Sequence, residues 1–124
     1  MNIKICGIQN KNTLLCCERN NVNFFGMIFY QQSPRNISFE NARILQRISE
    51  DLNIKGVGVF VNKNIYEIEE IVKNLKLRFV QLHGSEDDEY IKILKQTGVK
   101  IIKSISISNK NDLIKIDKYK NVDY

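Results

Sequence analysis

At 124 residues, with 43% hydrophobic and 27% charged side chains, six glycines and one proline, the chain has the make-up of one soluble globular domain, neither disordered nor fibrous. That length buries a core but excludes a second full domain. No apolar run approaches the roughly 20 residues of a membrane helix, and Met1 leads straight into a strand-like run with no export signal. The net charge of +5 raises the question of nucleic acid, yet 48 of the residues are Ile, Lys or Asn, and the lysines are scattered without a run of three. The bias is compositional, and nucleic-acid binding is set aside with membrane insertion. Cys6, Cys16 and Cys17 are odd in number, two of them adjacent, and have no metal-ligand spacing. They suit a reduced, cytoplasmic protein without disulfides.

In chain order, a short strand is predicted near Ile3, then a weak helix opened by Asn10 or Asn12. A second strand near Phe24 leads to a helix opened by Ser38 and carrying Ile44, Leu45, Ile48 and Leu52. A third near Gly56 is followed by a helix from Asn64, with Ile65, Ile68, Ile71, Val72 and Leu75 on one stripe and a Glu69 to Lys73 pair one turn apart. A fourth near Arg78 leads to the clearest helix signal. Ser85 opens it, Glu86 to Glu89 fill its first turn, Tyr90, Ile91 and Leu94 share a face, Lys92 and Lys95 lie towards its end, and Gly98 stops it. A fifth strand near Lys100, a weaker helix from Ser108 and the start of a sixth strand at Asn121 complete the series.

Most strand starts are about 22 residues apart, and runs such as Val57 to Val61 are apolar nearly throughout, not alternating. Strands covered on both faces and separated by helices predict right-handed βαβ units and a parallel sheet. No Gly-x-Gly-x-x-Gly follows any strand, which favours a (β/α)8 barrel of repeated units over a dinucleotide-binding sheet. Five complete units end near Lys120, whereas a barrel needs eight, so residues 1–124 are expected to form a single incomplete barrel domain with a curved parallel sheet.

In such an architecture chemistry collects at the carboxyl ends of the strands. Cys6 stands there as either a reactive thiol or a small buried residue; Cys16 and Cys17 are filler. Arg35, after the turn Ser33-Pro34, suits a planar carboxylate or is a solvated loop charge. Asn62 follows the third strand. His83, the lone histidine, is an acid or base, or merely a hydrogen-bonding group. Lys103 suggests a Schiff-base lysine, but no neighbouring acid in sequence supports that.

Four strings occur in order at strand ends: Lys4-Ile-Cys-Gly-Ile8, Gly26-Met-Ile-Phe29 with Ser33-Pro-Arg35, Val57-Gly-Val-Phe-Val-Asn62, and Val80-Gln-Leu-His-Gly84. Together the chain resembles, from about residue 3 onward, the phosphoribosylanthranilate isomerases of tryptophan biosynthesis. The resemblance implies a (β/α) barrel that converts N-(5'-phosphoribosyl)anthranilate into 1-(2-carboxyphenylamino)-1-deoxyribulose 5-phosphate by an Amadori rearrangement without cofactor or metal. It implies Cys6 as general base, Arg35 on the anthranilate carboxylate, and Asn62, Gln81 and His83 lining the substrate site, His83 as a positioning group more than a proton carrier. The partner it implies is a small phosphorylated sugar-anthranilate; the oligomeric state is left open.

Gln9, Met27 and Ser104 depart from the family pattern without removing a catalytic atom. The family's general acid, an aspartate ending the sixth strand, and its phosphate loops after the seventh and eighth strands fall beyond residue 124. Asp123 belongs to the start of a sixth strand, on the opposite rim, and does not take the acid's role. The chain therefore reads as the amino-terminal portion of an isomerase or, alternatively, as an inactive half-barrel that functions only with a complementing chain.

Overall fold

β-Branched and aromatic residues dominate five short runs, and each run is a strand. The structure, a computed structural model, describes residues 1–124. Its strands are β1 (Lys4–Cys6), β2 (Phe24–Ile28), β3 (Lys55–Phe60), β4 (Phe79–Leu82) and β5 (Lys100–Lys103). They form one sheet in sequential order, every pair parallel, with Cys6, Gly26, Val57, Phe79 and Lys100 on one register line. Four α-helices alternate with them: α1 (Lys11–Arg19), α2 (Phe39–Ser49), α3 (Ile65–Leu75) and α4 (Asp88–Leu94). No helix is long and apolar enough to cross a membrane.

Local chemistry sets the helix starts. Asn10, Ser38 and Asn64 each accept a backbone N–H of the following turn, satisfying donors that the helix itself leaves free. The predicted start at Ser85 is corrected: Asp87 caps α4, and Ser85 turns instead to Asn62. Asn109, not Ser108, caps the last segment, which is a 3-10 helix over Lys110–Lys118 with no buried residue. Gly98 ends its unit in the left-handed conformation, φ 83°, where only glycine carries no steric cost. Glu69 and Lys73 form no ion pair; Lys63 takes Glu67 one turn on, at 2.8 Å.

Successive strand residues point to opposite faces. Phe25, Met27, Phe60, Val80, Leu82 and Ile101 face the helices and pack with Leu14, Leu45, Ile68, Val72, Ile91 and Leu94. Ile44, one of the apolar residues carried by α2, is 53% exposed. The opposite, concave face carries Phe24, Ile28, Val57, Val59 and Phe79, with the Phe24 and Phe79 rings edge to face at 5.0 Å. Glycines at 56 and 58 clear the convex face, where a Cβ would strike Gln46 and Phe60 respectively. After the 3-10 helix the chain returns beside β5. The Tyr124 N–H donates to the Ile101 carbonyl at 3.1 Å and the Lys103 N–H to the Tyr124 carbonyl at 2.9 Å, the two bonds of a parallel ladder. These bonds lay the last residues alongside β5, but residues 121–124, where the start of a sixth strand is expected, form no regular strand.

Candidate active site

Cys6 ends β1 on the concave side, half-buried, and shares a register line with Gly26. A Cβ at residue 26 would lie 2.9 Å from the Cys6 Sγ, so glycine there leaves the thiol its space. Gly7 follows with φ +83°, and a side chain at that position would come within 2.7 Å of the Arg35 Cδ. Both properties of glycine are needed, the left-handed backbone and the missing Cβ. They let Arg35 cross from the β2–α2 loop and donate through Nη1 to the Cys6 carbonyl at 2.9 Å, its one side-chain hydrogen bond. The loop that delivers it is ordered from within: the Ser33 Oγ accepts the Arg35 N–H at 3.2 Å, and the Gln9 amide reaches the Asn36 carbonyl at 3.0 Å.

Gln81 is on the same concave face as Cys6, since both belong to the strand parity that includes Gly26 and Val57. Its Nε2 donates to the Ser104 Oγ at 2.6 Å. Its Oε1 is buried without a partner, a cost of about 1–3 kcal/mol when no donor is supplied. His83 follows directly after β4; its N–H continues the ladder to the Phe60 carbonyl at 2.9 Å, and the imidazole is exposed with no hydrogen bond of its own. Asn62, at φ 47°, occupies the left-handed region that asparagine tolerates best among residues with a side chain. Its Oδ1 is taken by Ser85, from the backbone N–H at 2.7 Å and the hydroxyl at 3.0 Å. Only the Asn62 Nδ2 is left to meet another group. A groove of about 560 Å³ between the β2–α2 and β3–α3 loops is lined by Tyr30, Ser38 and Lys63, and by Asn62 alone among the predicted residues.

Sequence reasoning missed the most heavily bonded group on this rim. Lys103 faces the helices and pairs with Glu86 at 3.0 Å, both side chains 2% exposed. The acid missing from its sequence neighbourhood is 17 residues away, and the Schiff-base reading of Lys103 gives way to a structural ion pair. Losing one partner of such a pair strands a buried charge, at about 3–5 kcal/mol. The signal was present: a lysine within an apolar strand requires a buried counter-charge. Nearby, Tyr90 donates its hydroxyl to the Lys63 carbonyl at 2.7 Å. Burial, with the charges of Glu86, Glu67 and Glu69, pushes that phenol up to about 12. Asp123 keeps to the start of β5, accepting the Ile101 N–H at 2.8 Å with Lys95 at 3.4 Å.

Known proteins share this fold. A family model described as N-(5'phosphoribosyl)anthranilate (PRA) isomerase matches residues 3–124. The N-(5'-phosphoribosyl)anthranilate isomerase of Clostridium acetobutylicum is 33% identical over 119 residues, covering 96% of this chain and 55% of the relative. The crystal structure of phosphoribosyl anthranilate isomerase from Thermotoga maritima superposes with a TM-score of 0.92 at 31% identity, over 98% of this chain and 58% of that one. A solved isomerase in complex with reduced 1-(O-carboxyphenylamino)-1-deoxyribulose 5-phosphate gives 0.89 at 34% identity, over 98% and 62%. The chain thus spans between 55% and 62% of the length of these relatives. With five sequential parallel strands and a family match over residues 3–124, the chain belongs to the N-(5'-phosphoribosyl)anthranilate isomerase family.

Proposed function

We propose that these 124 residues are the amino-terminal, single-domain part of a phosphoribosylanthranilate isomerase acting in tryptophan biosynthesis in the cytoplasm, where thiols such as Cys6, Cys16 and Cys17 stay free. The observation that carries the reading is Cys6 at the carboxyl end of β1, on the concave face, with Arg35 laid across Gly7 beside it. The reaction needs an acid to open the ribose ring to a Schiff base, then a base to remove the C2 proton. Cys6 is the base: its thiolate takes that proton, the C–H pair forms the C1–C2 double bond, and the imine pair returns to nitrogen. The enol so formed becomes the ketone when C1 takes up a proton and the C2 hydroxyl gives one up.

Arg35 spends one of its five N–H donors on the Cys6 carbonyl, which leaves a guanidinium edge for the anthranilate carboxylate. The unpartnered Gln81 Oε1 suits a donor on the substrate, and His83 offers an exposed imidazole that positions it. Asn62 contributes through Nδ2. No metal or cofactor enters the scheme. The ring-opening acid and the phosphate loops belong to the portion of the relatives that the chain does not span, so the second reading is a half-barrel inactive by itself. The coverage of 55% to 62% favours it for the isolated residues.

The test is turnover of N-(5'-phosphoribosyl)anthranilate by residues 1–124 joined to the carboxyl-terminal portion of the Thermotoga maritima relative, followed through the loss of substrate fluorescence. Activity in that completed chain that disappears with Cys6→Ser supports the assignment. Activity that survives the substitution unchanged removes Cys6 as the base.

A further inference from the structure

Three groups from three βα units converge on one buried carboxylate. The Glu86 Oε1 accepts the Asn62 N–H at 2.7 Å, and its Oε2 accepts the Gly84 N–H at 2.9 Å and the Lys103 ammonium at 3.0 Å. Lys103 in turn donates to the Gly84 carbonyl at 2.6 Å, so residue 84 is held from both sides. We propose that Glu86 is a positioning residue, whose carboxylate ties the loops after β3 and β4 to the end of β5 and thereby fixes where Asn62 and His83 stand towards the substrate. The clamp rests on the geometry alone; its bearing on substrate rests on the isomerase reading above.

What the clamp holds shows why it matters. The His83 imidazole makes no hydrogen bond, so its direction follows from the backbone on either side, the His83 N–H on Phe60 and the Gly84 pair on Glu86 and Lys103. Asn62 sits in the left-handed region while its N–H is drawn to Glu86 and its Oδ1 to Ser85. A Cβ at residue 84 would strike the Asn62 Oδ1, so the two loops approach as closely as a glycine permits. An ion pair in that place pays a desolvation penalty that apolar packing would avoid. Its four hydrogen bonds are the compensation, and all of them act on rim backbone or on each other.

Amide hydrogen exchange on the chain with Glu86→Gln, and with the neutral pair Glu86→Gln and Lys103→Met, reads the clamp directly. Glutamine keeps one acceptor oxygen where glutamate has two, so the Asn62 or the Gly84 amide should exchange about ten-fold faster or more, while amides of β2 keep their protection. The double variant strands no buried charge and so keeps the test available if the single variant fails to fold. In the completed chain the double variant should raise KM about ten-fold, with kcat per folded molecule nearly unchanged, since lost uniform binding appears in KM. A purely structural role would lower the folded fraction and leave KM where it was. Unchanged exchange at both amides overturns the clamp, and an unchanged KM overturns its bearing on substrate. A wild-type completed chain without turnover tells against the isomerase reading and the substrate half of the proposal, while the exchange result still decides the clamp.

Discussion

Along the carboxyl ends of the strands, polar side chains reach repeatedly from one βα unit to the next; along the amino ends Asn23 on the Ile3 N–H and Asp123 on Lys95 and the Ile101 N–H do so, while a row of basic residues faces solvent. Arg35 bonds to Cys6, Gln9 to Asn36, Gln81 to Ser104, and Glu86 to Asn62 and Lys103. At the other rim Lys55, Lys76, Arg78 and Lys100 border a groove of about 830 Å³, and none of the four forms an ion pair. Lys55 merely lies over the Phe24 ring at 6.0 Å. The same sheet therefore carries two kinds of charge. Those that fix geometry are bonded across units and, in Glu86 and Lys103, desolvated; those that only face water contribute solubility and little stability.

The largest effect is expected at Cys6. In the completed chain, Cys6→Ser should lower kcat about 10²-fold or more, the scale of a lost general base; a milder loss in stopped assays would move the chemistry off β1. Arg35→Ala should raise KM about ten-fold while changing kcat less, as expected when a charge-assisted bond to substrate is made alike in ground and transition states. An unchanged KM would make Arg35 a loop charge like those of the amino rim. Lys55→Gln and Arg78→Gln, together, should alter steady-state kcat/KM by less than about two-fold, as for solvated charges. A change as large as that of Arg35→Ala would erase the distinction between the rims. The smallest effect is spectroscopic. With Tyr90 pushed up to about 12 from the ordinary 10, its protonated form is favoured by the fold. That stability is fully present below pH 10 and is lost as pH rises towards 12. Absorbance titration should show one late phenol that Tyr90→Phe removes.

The repeat and the parallel order were legible because strand chemistry and helix caps are local: Asn10, Ser38, Asn64 and Gly98 act within a turn of themselves. So were the strand-end positions of Cys6 and His83, which follow from where each run stops, whereas Gln81, inside β4, was pointed to only by the family resemblance. Ser85 misled because its hydrogen bonds go to a residue 23 positions away, and no local rule weighs such a partner. Glu86 was hidden for the same reason: among four consecutive acids it reads as another solvated first-turn charge. Only its burial and its distance to Lys103 set it apart. The bond from Arg35 to the Cys6 carbonyl was equally out of reach, since it depends on the backbone sign at Gly7 and on space that a Cβ would fill.

We propose that residues 1–124 carry the base and the carboxylate-binding half of the isomerase site, and that the rest of the site belongs to the portion of the relatives they do not span. Turnover of N-(5'-phosphoribosyl)anthranilate, followed by fluorescence with the purified 124 residues alone and again in the completed chain, tests it most directly. No turnover is expected from the 124 residues, which should self-associate through their exposed sheet edges, and clear turnover is expected from the completed chain. Steady turnover by a monodisperse, monomeric 124-residue chain would contradict it.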